Sequence, residues 1–460
     1  MRYAPPGLCL NDFALLRDDD GTYTVLHLQG PWTAEFDHLR METSYGRATS
    51  ADLVHWQPQG TAFGNGLPGR FDGQAVWTMH PFRHGDGGVG GAGMAMFYTG
   101  VSGLTPDGWP LQSVGLAYSD RTDGTGWRRH GTGPVVEADP RWYRTGERMG
   151  WRDPFVVRDD ESDGWVMVVC ASDASLPVEV SGCVALATSD DLEHWTVHPP
   201  LVSPGDVDEL ECPVLERLDD GGWLLLGSIG QTRGFDAWTA PRLRGPWTRH
   251  GALGPTGAYA PRVIQAPDGS RVVVHTTPRR VGLTDAGERC RGMLAQPKSL
   301  VVEEGSAPRL EWWAGVDAWL GEETDRATAH AVGDVVLSGR TEIVLRTRTG
   351  DGEGYGEGQP ALSVGCDGKN LWVTGPDGAR LGETVLTEPA AVLRVLTVGE
   401  YVEVYADGVF VLTTLCYSGR AAAWTVVTDG QARTIPVRPV RLPDPDRDDA
   451  SAVWPGLSEG

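Results

Sequence analysis

The chain has 460 residues, 40% of them hydrophobic, with a formal net charge of -23 at pH 7. Its length outgrows a single hydrophobic core, so two domains are the default expectation, and its hydrophobic fraction marks a folded chain rather than a disordered one. The excess of negative charge repels the phosphates of nucleic acids and anionic membranes, so neither is expected as a partner.

From the N-terminus onward, the first segment has neither the basic start nor the continuous apolar run of a signal peptide. A cytoplasmic protein is expected, or a secreted one if a leader has been trimmed away. Leu10-Asn11-Asp12-Phe13 then puts an acid at the head of a short apolar pattern. Short strand patterns follow at Tyr23 to Leu28, Met94 to Tyr98, Phe155 to Val157, Trp165 to Val169 and Trp223 to Leu226, separated by Gly, Asp, Asn and Pro turns. No segment is apolar for long enough to span a bilayer, and helical periodicity is hard to find. Gly85 to Gly90 fits G-x-G-x-x-G, but a β-pattern follows it instead of a helix, so it reads as a loop and not a nucleotide site.

An internal repeat organises this pattern. Ala48-Thr49-Ser50-Ala51-Asp52-Leu53-Val54-His55-Trp56 recurs as Ala187-Thr188-Ser189-Asp190-Asp191-Leu192-Glu193-His194-Trp195, with a looser copy from Ala117 to Trp127 and a weak one ending at Trp247. The first three copies begin at residues 48, 117 and 187, a spacing that suits four-stranded units and hence a β-propeller. The Ser and Asp of the repeat are expected to satisfy turn amides while Trp fills the space between blades. Asp12, Asp72 and Asp153 each precede one copy, and Glu211 takes the like place in a fourth unit. All four are expected near the start of a first strand, around one channel. A fifth unit runs from Tyr259-Ala260-Pro261 through Val272-Val273-Val274 to about residue 303. An acid beside a turn often only caps backbone amides, but four converging on one axis would repel one another without a functional reason.

Beyond about residue 310 the repeat gives way to alternating strands punctuated by Asp367-Gly368, Asp377-Gly378 and Asp407-Gly408, the pattern of an antiparallel sandwich. The expected fold is all-β: a five-bladed β-propeller at residues 1–305, a β-sandwich at 306–445 and an acidic tail at 446–460. The Gly- and Glu-rich stretch 350–359 reads as a flexible loop. Seven scattered cysteines, none in a C-x-x-C pair, read as free buried thiols rather than disulfides or a zinc site. His80 and His84 flank a Pro-containing turn, so no metal or other cofactor is expected.

Asn11-Asp12, then Arg152-Asp153-Pro154, then Glu211-Cys212-Pro213 resembles glycoside hydrolase family 32, the invertase, inulinase and levanase group. Tyr45 to Trp56 is similar to that family's first-blade segment, and Tyr401-Val402-Glu403-Val404-Tyr405-Ala406-Asp407-Gly408 to its sandwich signature. The resemblance implies a five-bladed propeller with a C-terminal sandwich. It also implies Asp12 as nucleophile, Asp153 as transition-state stabiliser and Glu211 as general acid/base, with Asp12 and Glu211 about 5–5.5 Å apart for retention. Arg152 would bind sugar hydroxyls or orient Asp153. Asn11, Gln29, Phe71, Asp72, Cys212 and Tyr259 complete the expected sugar-contacting set, with Cys212 mainly packing beside the acid.

Three departures bear on the substrate. Phe13-Ala14-Leu15 stands where the family has Pro-Asn-Gly, Phe71-Asp72-Gly73-Gln74 where it has Phe-Ser-Gly-Ser, and Leu28-Gln29-Gly30-Pro31-Trp32 around its glutamine. Asp72 would accept hydrogen bonds from an unusual sugar, pair with a substrate amino group, or cap the Gly73 turn. The leading expectation is a retaining hydrolase of a terminal furanoside, foremost a β-fructofuranoside, acting on a small carbohydrate. Alternatives are a fructosyl transferase, an arabinofuranosidase-like enzyme, and a non-catalytic carbohydrate-binding propeller.

Overall fold

The computed structural model describes residues 2–31, 41–84, 93–146, 149–325, 330–346, 360–417, 423–428 and 431–441. The loop at 85–90, the stretch 350–359 and the tail 446–460 lie outside the described residues. Four consecutive groups of strands form four-stranded antiparallel blades. They are β1 to β4 (Cys9–Arg17, Tyr23–Gly30, Ser44–Ser50, Gln57–Gly64) and β5 to β8 (Ala75–His84, Gly93–Leu104, Pro110–Ser119, Arg128–Arg129). The next two are β9 to β12 (Trp151–Arg158, Trp165–Ser172, Gly182–Ser189, Thr196–Val202) and β13 to β16 (Leu210–Arg217, Trp223–Ile229, Gly234–Ala240, Thr248–Gly254). A fifth unit, β17 to β20 (Tyr259–Gln265, Arg271–Arg280, Arg289–Leu294, Lys298–Val301), is irregular: β18 pairs with β17 on one side and with both β19 and β20 on the other.

The first strands neighbour one another in order, β1 to β5 to β9 to β13 to β17, and β17 returns to β1. The ring is closed by backbone pairing of Leu10 with Gly292 and of Tyr3 with Leu294. Middle strands are buried on both faces because blades pack face to face, so β10 and β14 read as near-continuous apolar runs. Separate apolar cores fill the spaces between successive blades. In the repeat, Ser50 Oγ accepts the Leu53 amide at 2.9 Å, and Asp52 Oδ1 accepts those of Val54 and His55 at 2.8 Å. Ser189 and Asp191 repeat the arrangement, so this element caps turns.

Residue 305 falls in the turn between β20 and β21 (Arg309–Trp312), which form a hairpin. From there Glu311 pairs with Val409, linking the fifth unit to a sheet of His330–Val336, Val392–Val398, Tyr401–Ala406 and Val409–Leu415. A six-stranded sheet, including Thr341–Arg346 and Asn370–Thr374, packs on it across an apolar core. At the seam Lys298 and Glu403, both fully buried, form an ion pair. Lys298 Nζ also donates to the Gln296 carbonyl at 2.7 Å, and the Tyr405 hydroxyl donates to Glu403 at 2.7 Å. These bonds offset the cost of burying both charges. All seven cysteines are buried and free of disulfides.

Candidate active site

All five first strands break register near the same level. The breaks lie between Leu10 and Phe13 in β1, at Thr78 in β5, between Arg152 and Phe155 in β9, between Glu211 and Val214 in β13, and between Tyr259 and Arg262 in β17. Such bulges bend a strand and re-aim its side chains. In three of them the residue before a proline takes positive φ: Asp153 at 59°, Cys212 at 49° and Ala260 at 48°. That is costly for a residue with a Cβ, and strain of this kind concentrates at functional sites.

This register corrects one expectation. Glu211 shares its place with Arg152 and Tyr259, one residue ahead of the bulge, whereas Asp153 shares its place with Cys212 and Ala260 inside it. The acids therefore converge from non-equivalent positions.

A cavity of about 620 Å³ at this level is lined by Asp12, Asp153 and Glu211, together with Asn11, Arg152, Cys212 and Tyr259. The remaining three expected contacts do not line it. Asp72 lies in the turn ahead of β5, fully buried, and receives the Tyr98 hydroxyl at 3.0 Å and Arg129 Nε at 2.6 Å. An internal cation takes the place imagined for a substrate amine. The Phe71 ring packs over Gly100 and Gly115, where any Cβ would collide with it. Gln29 spends its amide on Ser44 Oγ at 3.1 Å and Thr61 Oγ1 at 2.9 Å, tying its own blade together.

Within the cavity the three acids are held differently. Asp12 Oδ2 accepts the Thr78 hydroxyl. Asp153 Oδ2 accepts the Cys212 amide at 2.9 Å, and the Asp153 amide donates to Thr99 Oγ1 at 2.9 Å. Glu211 accepts Arg152 Nη2 at 2.6 Å on Oε1 and the Tyr259 hydroxyl on Oε2. Arg152 also meets Glu209 at 2.7 Å and Asp153 at 3.7 Å, so one guanidinium faces three carboxylates.

Burial, and then the charge of Asp153, push the Asp12 carboxyl up to about 6, against the Thr78 hydrogen bond and Arg262. Burial likewise pushes Glu211 up to about 8; Arg152 opposes this while Glu209 and Asp153 add to it. Near neutral pH the pair divides into an ionised Asp12 and a protonated Glu211. Asp12, Asp153 and Cys212 bring one donor atom each within 4.8 Å of one another. Burial and the neighbouring Asp12 and Asp153 push the Cys212 thiol well up, so the set offers a cation two carboxylates and no thiolate.

Several lining residues carried no motif. Thr78, 1% exposed, was hidden inside an apolar strand; aligning the first strands by their bulges would have found it. Glu42 and Arg291 form a buried ion pair in the wall, with the Asn11 amide 3.3 Å from Glu42, and nothing local in sequence relates residues 42 and 291. Thr78→Val removes the hydrogen bond to ionised Asp12 at nearly constant shape. It is expected to raise the acid limb of the pH–rate profile by about one unit, while Thr78→Ser leaves that limb in place; steady-state rates from pH 4 to 9 check both.

Residues 3–237 match the glycosyl hydrolases family 32 N-terminal domain. The chain belongs to that family. The extracellular exo-inulinase inuE of Aspergillus niger is 31% identical over 249 residues, 49% of this chain and 43% of that protein. A levanase of a Bacillus species is 34% identical over 235 residues, 47% of this chain and 22% of that one. The sucrose-6-phosphate hydrolase of Escherichia coli is 27% identical over 294 residues, 59% and 55% of the two chains. The matched region thus spans less than half of the exo-inulinase and about half of the hydrolase. Among solved structures, the Bombyx mori GH32 β-fructofuranosidase BmSUC1 aligns over 96% of this chain and 93% of its own at 18% identity, with a TM-score of 0.67. The Schwanniomyces occidentalis β-fructofuranosidase complexed with fructosyl-erythritol aligns over 96% and 97% at 14% identity, with a TM-score of 0.71. At these identities the likeness establishes the fold, a five-bladed propeller with a β-sandwich.

Proposed function

We propose that this member of family 32 is a retaining β-fructofuranosidase that removes a terminal fructosyl unit from a small carbohydrate. The observation that carries the reading is the split of two carboxyls in one cavity, Asp12 at about 6 and Glu211 at about 8, which leaves a nucleophile and a proton donor together at neutral pH. The cavity volume suits a small-molecule ligand.

In the first step Asp12 attacks the anomeric carbon, and the leaving oxygen takes the Glu211 proton as the glycosidic bond breaks. Positive charge on the ring in the transition state is met by Asp153, whose carboxylate is fixed by the Cys212 amide. Glu211, now ionised, takes a proton from water; that water attacks the anomeric carbon and frees Asp12 from the ester. The relatives' names, exo-inulinase, levanase and sucrose-6-phosphate hydrolase, support fructosides as the donor class. Product analysis on sucrose, inulin, levan and aryl furanosides tests the reading: release of fructose supports it, and absence of turnover on the whole panel defeats it.

A further inference from the structure

We propose that Glu209 is a positioning residue for the proton donor: it holds the same Arg152 nitrogen as Glu211 and so denies Glu211 an ion pair of its own. This rests on the reading of Glu211 as general acid/base. Arg152 Nη2 lies 2.7 Å from Glu209 Oε1 and 2.6 Å from Glu211 Oε1. Its Nη1 faces Gln112 Oε1 at 3.4 Å and its Nε faces Asp153 Oδ2 at 3.7 Å. The arginine is 7% exposed, so solvent does little to relieve the imbalance of one cation among three carboxylates.

Glu209 is held where this sharing requires it. Its amide donates to Asp208 Oδ1 at 2.7 Å, and its backbone passes so close to Gly182 that a Cβ there would stand 2.7 Å from the Glu209 nitrogen. The glycine permits the approach of the two segments.

The groups facing Glu211 come from four strands and leave Glu209 as the removable charge. From β9 come Arg152 and Asp153; from β10 comes Cys170, whose thiol burial keeps protonated. Glu209 and Cys212 flank Glu211 along the chain, and from β17 Tyr259 donates to its other oxygen, with Arg233 5.8 Å from the tyrosine ring centre. Arg152 and Tyr259 bond Glu211 directly, Asp153 is the reading's transition-state stabiliser, burial keeps both cysteines protonated, and Glu209, which also lines the cavity, reaches Glu211 through Arg152. Glu209 is 28% exposed and its carboxylate can be neutralised without opening a buried hole.

With Glu209→Gln, Arg152 is left to pair with Glu211, and a negative neighbour is gone as well. Both changes favour ionised Glu211. The basic limb of kcat/KM for sucrose should fall by about one pH unit from about 8, and kcat at pH 7.5 by about threefold, with KM changed less than about threefold. On an aryl fructofuranoside with an acidic phenol as leaving group the deficit should shrink, because departure then needs little proton donation. A residue that merely braces the loop would lower both substrates alike and leave the limb in place. Glu209→Ala gives a second reading should the glutamine form substitute bonds. An unchanged basic limb in both variants overturns the proposal. Glu211→Gln separates the two levels: if it keeps full sucrose turnover, the reading of Glu211 fails and this assignment with it. If it loses turnover while the Glu209 variants match the parent, Glu209 alone is refuted.

Discussion

Asp12→Asn is expected to cut sucrose turnover by about 10⁴-fold or more and, at neutral pH, to make the fold more stable. The loss follows from removing the nucleophile at constant shape, since the amide oxygen can still accept the Thr78 hydroxyl. The gain follows from linkage. The folded-state value of Asp12, about 6, lies above its ordinary 3.8, so the folded chain binds more protons than the unfolded chain between these pH values. Stability from this group is therefore complete below about pH 4 and is lost as pH rises through 6. Asparagine escapes that loss, a difference of about 2 kcal/mol once solvent access to a cavity wall is allowed for. Thermal denaturation at pH 4 and pH 7.5 checks it: the variant should melt several degrees above the parent at pH 7.5 and close to it at pH 4.

Glu211→Ala should affect substrates according to their leaving group. The glucose that departs from sucrose is a poor leaving group and needs the proton, so kcat for sucrose should fall about 10²- to 10⁴-fold. An aryl fructofuranoside with an acidic phenol should form the glycosyl-enzyme at a much smaller deficit, leaving the hydrolysis step limiting and a burst of phenol visible. The parent should show a bell-shaped profile of kcat/KM. The rate falls below about pH 6 as Asp12 takes up a proton, and above about pH 8 as Glu211 loses one. Glu211→Ala should remove the basic limb only.

Asp12, Asp153 and Glu211 were legible because each stands at the head of an apolar strand, and the blade repeat placed those strands around one axis. Strand counting could not fix register, though. The bulge at Asp153-Pro154 and Cys212-Pro213 shifts the side chains by one position, so Glu211 aligns with Arg152 and Tyr259 rather than with Asp153. The prolines were visible signals of that bulge, since a proline inside a strand cannot donate to the ladder.

Asp72 misled because an acid near a strand start says nothing of its partner; the cation that claims it, Arg129, lies in β8, at the far edge of the same blade. The ring closure through Tyr3 and Leu10, the Glu42–Arg291 wall and the Lys298–Glu403 seam all join residues more than a hundred positions apart. No local pattern encodes such pairs. The turn role of Ser50-Ala51-Asp52, by contrast, was readable because its hydrogen bonds span only two or three residues.

The reaction of sucrose in water containing methanol, followed by proton and carbon NMR, puts the central claim to its most direct test. A retaining enzyme working through an ester on Asp12 passes the fructosyl unit to either water or methanol on the face from which the leaving sugar departed. The account predicts glucose, fructose and methyl β-fructofuranoside from the parent, and none of them from Asp12→Asn. Methyl α-fructofuranoside from the parent, or unchanged turnover by Asp12→Asn, would contradict it.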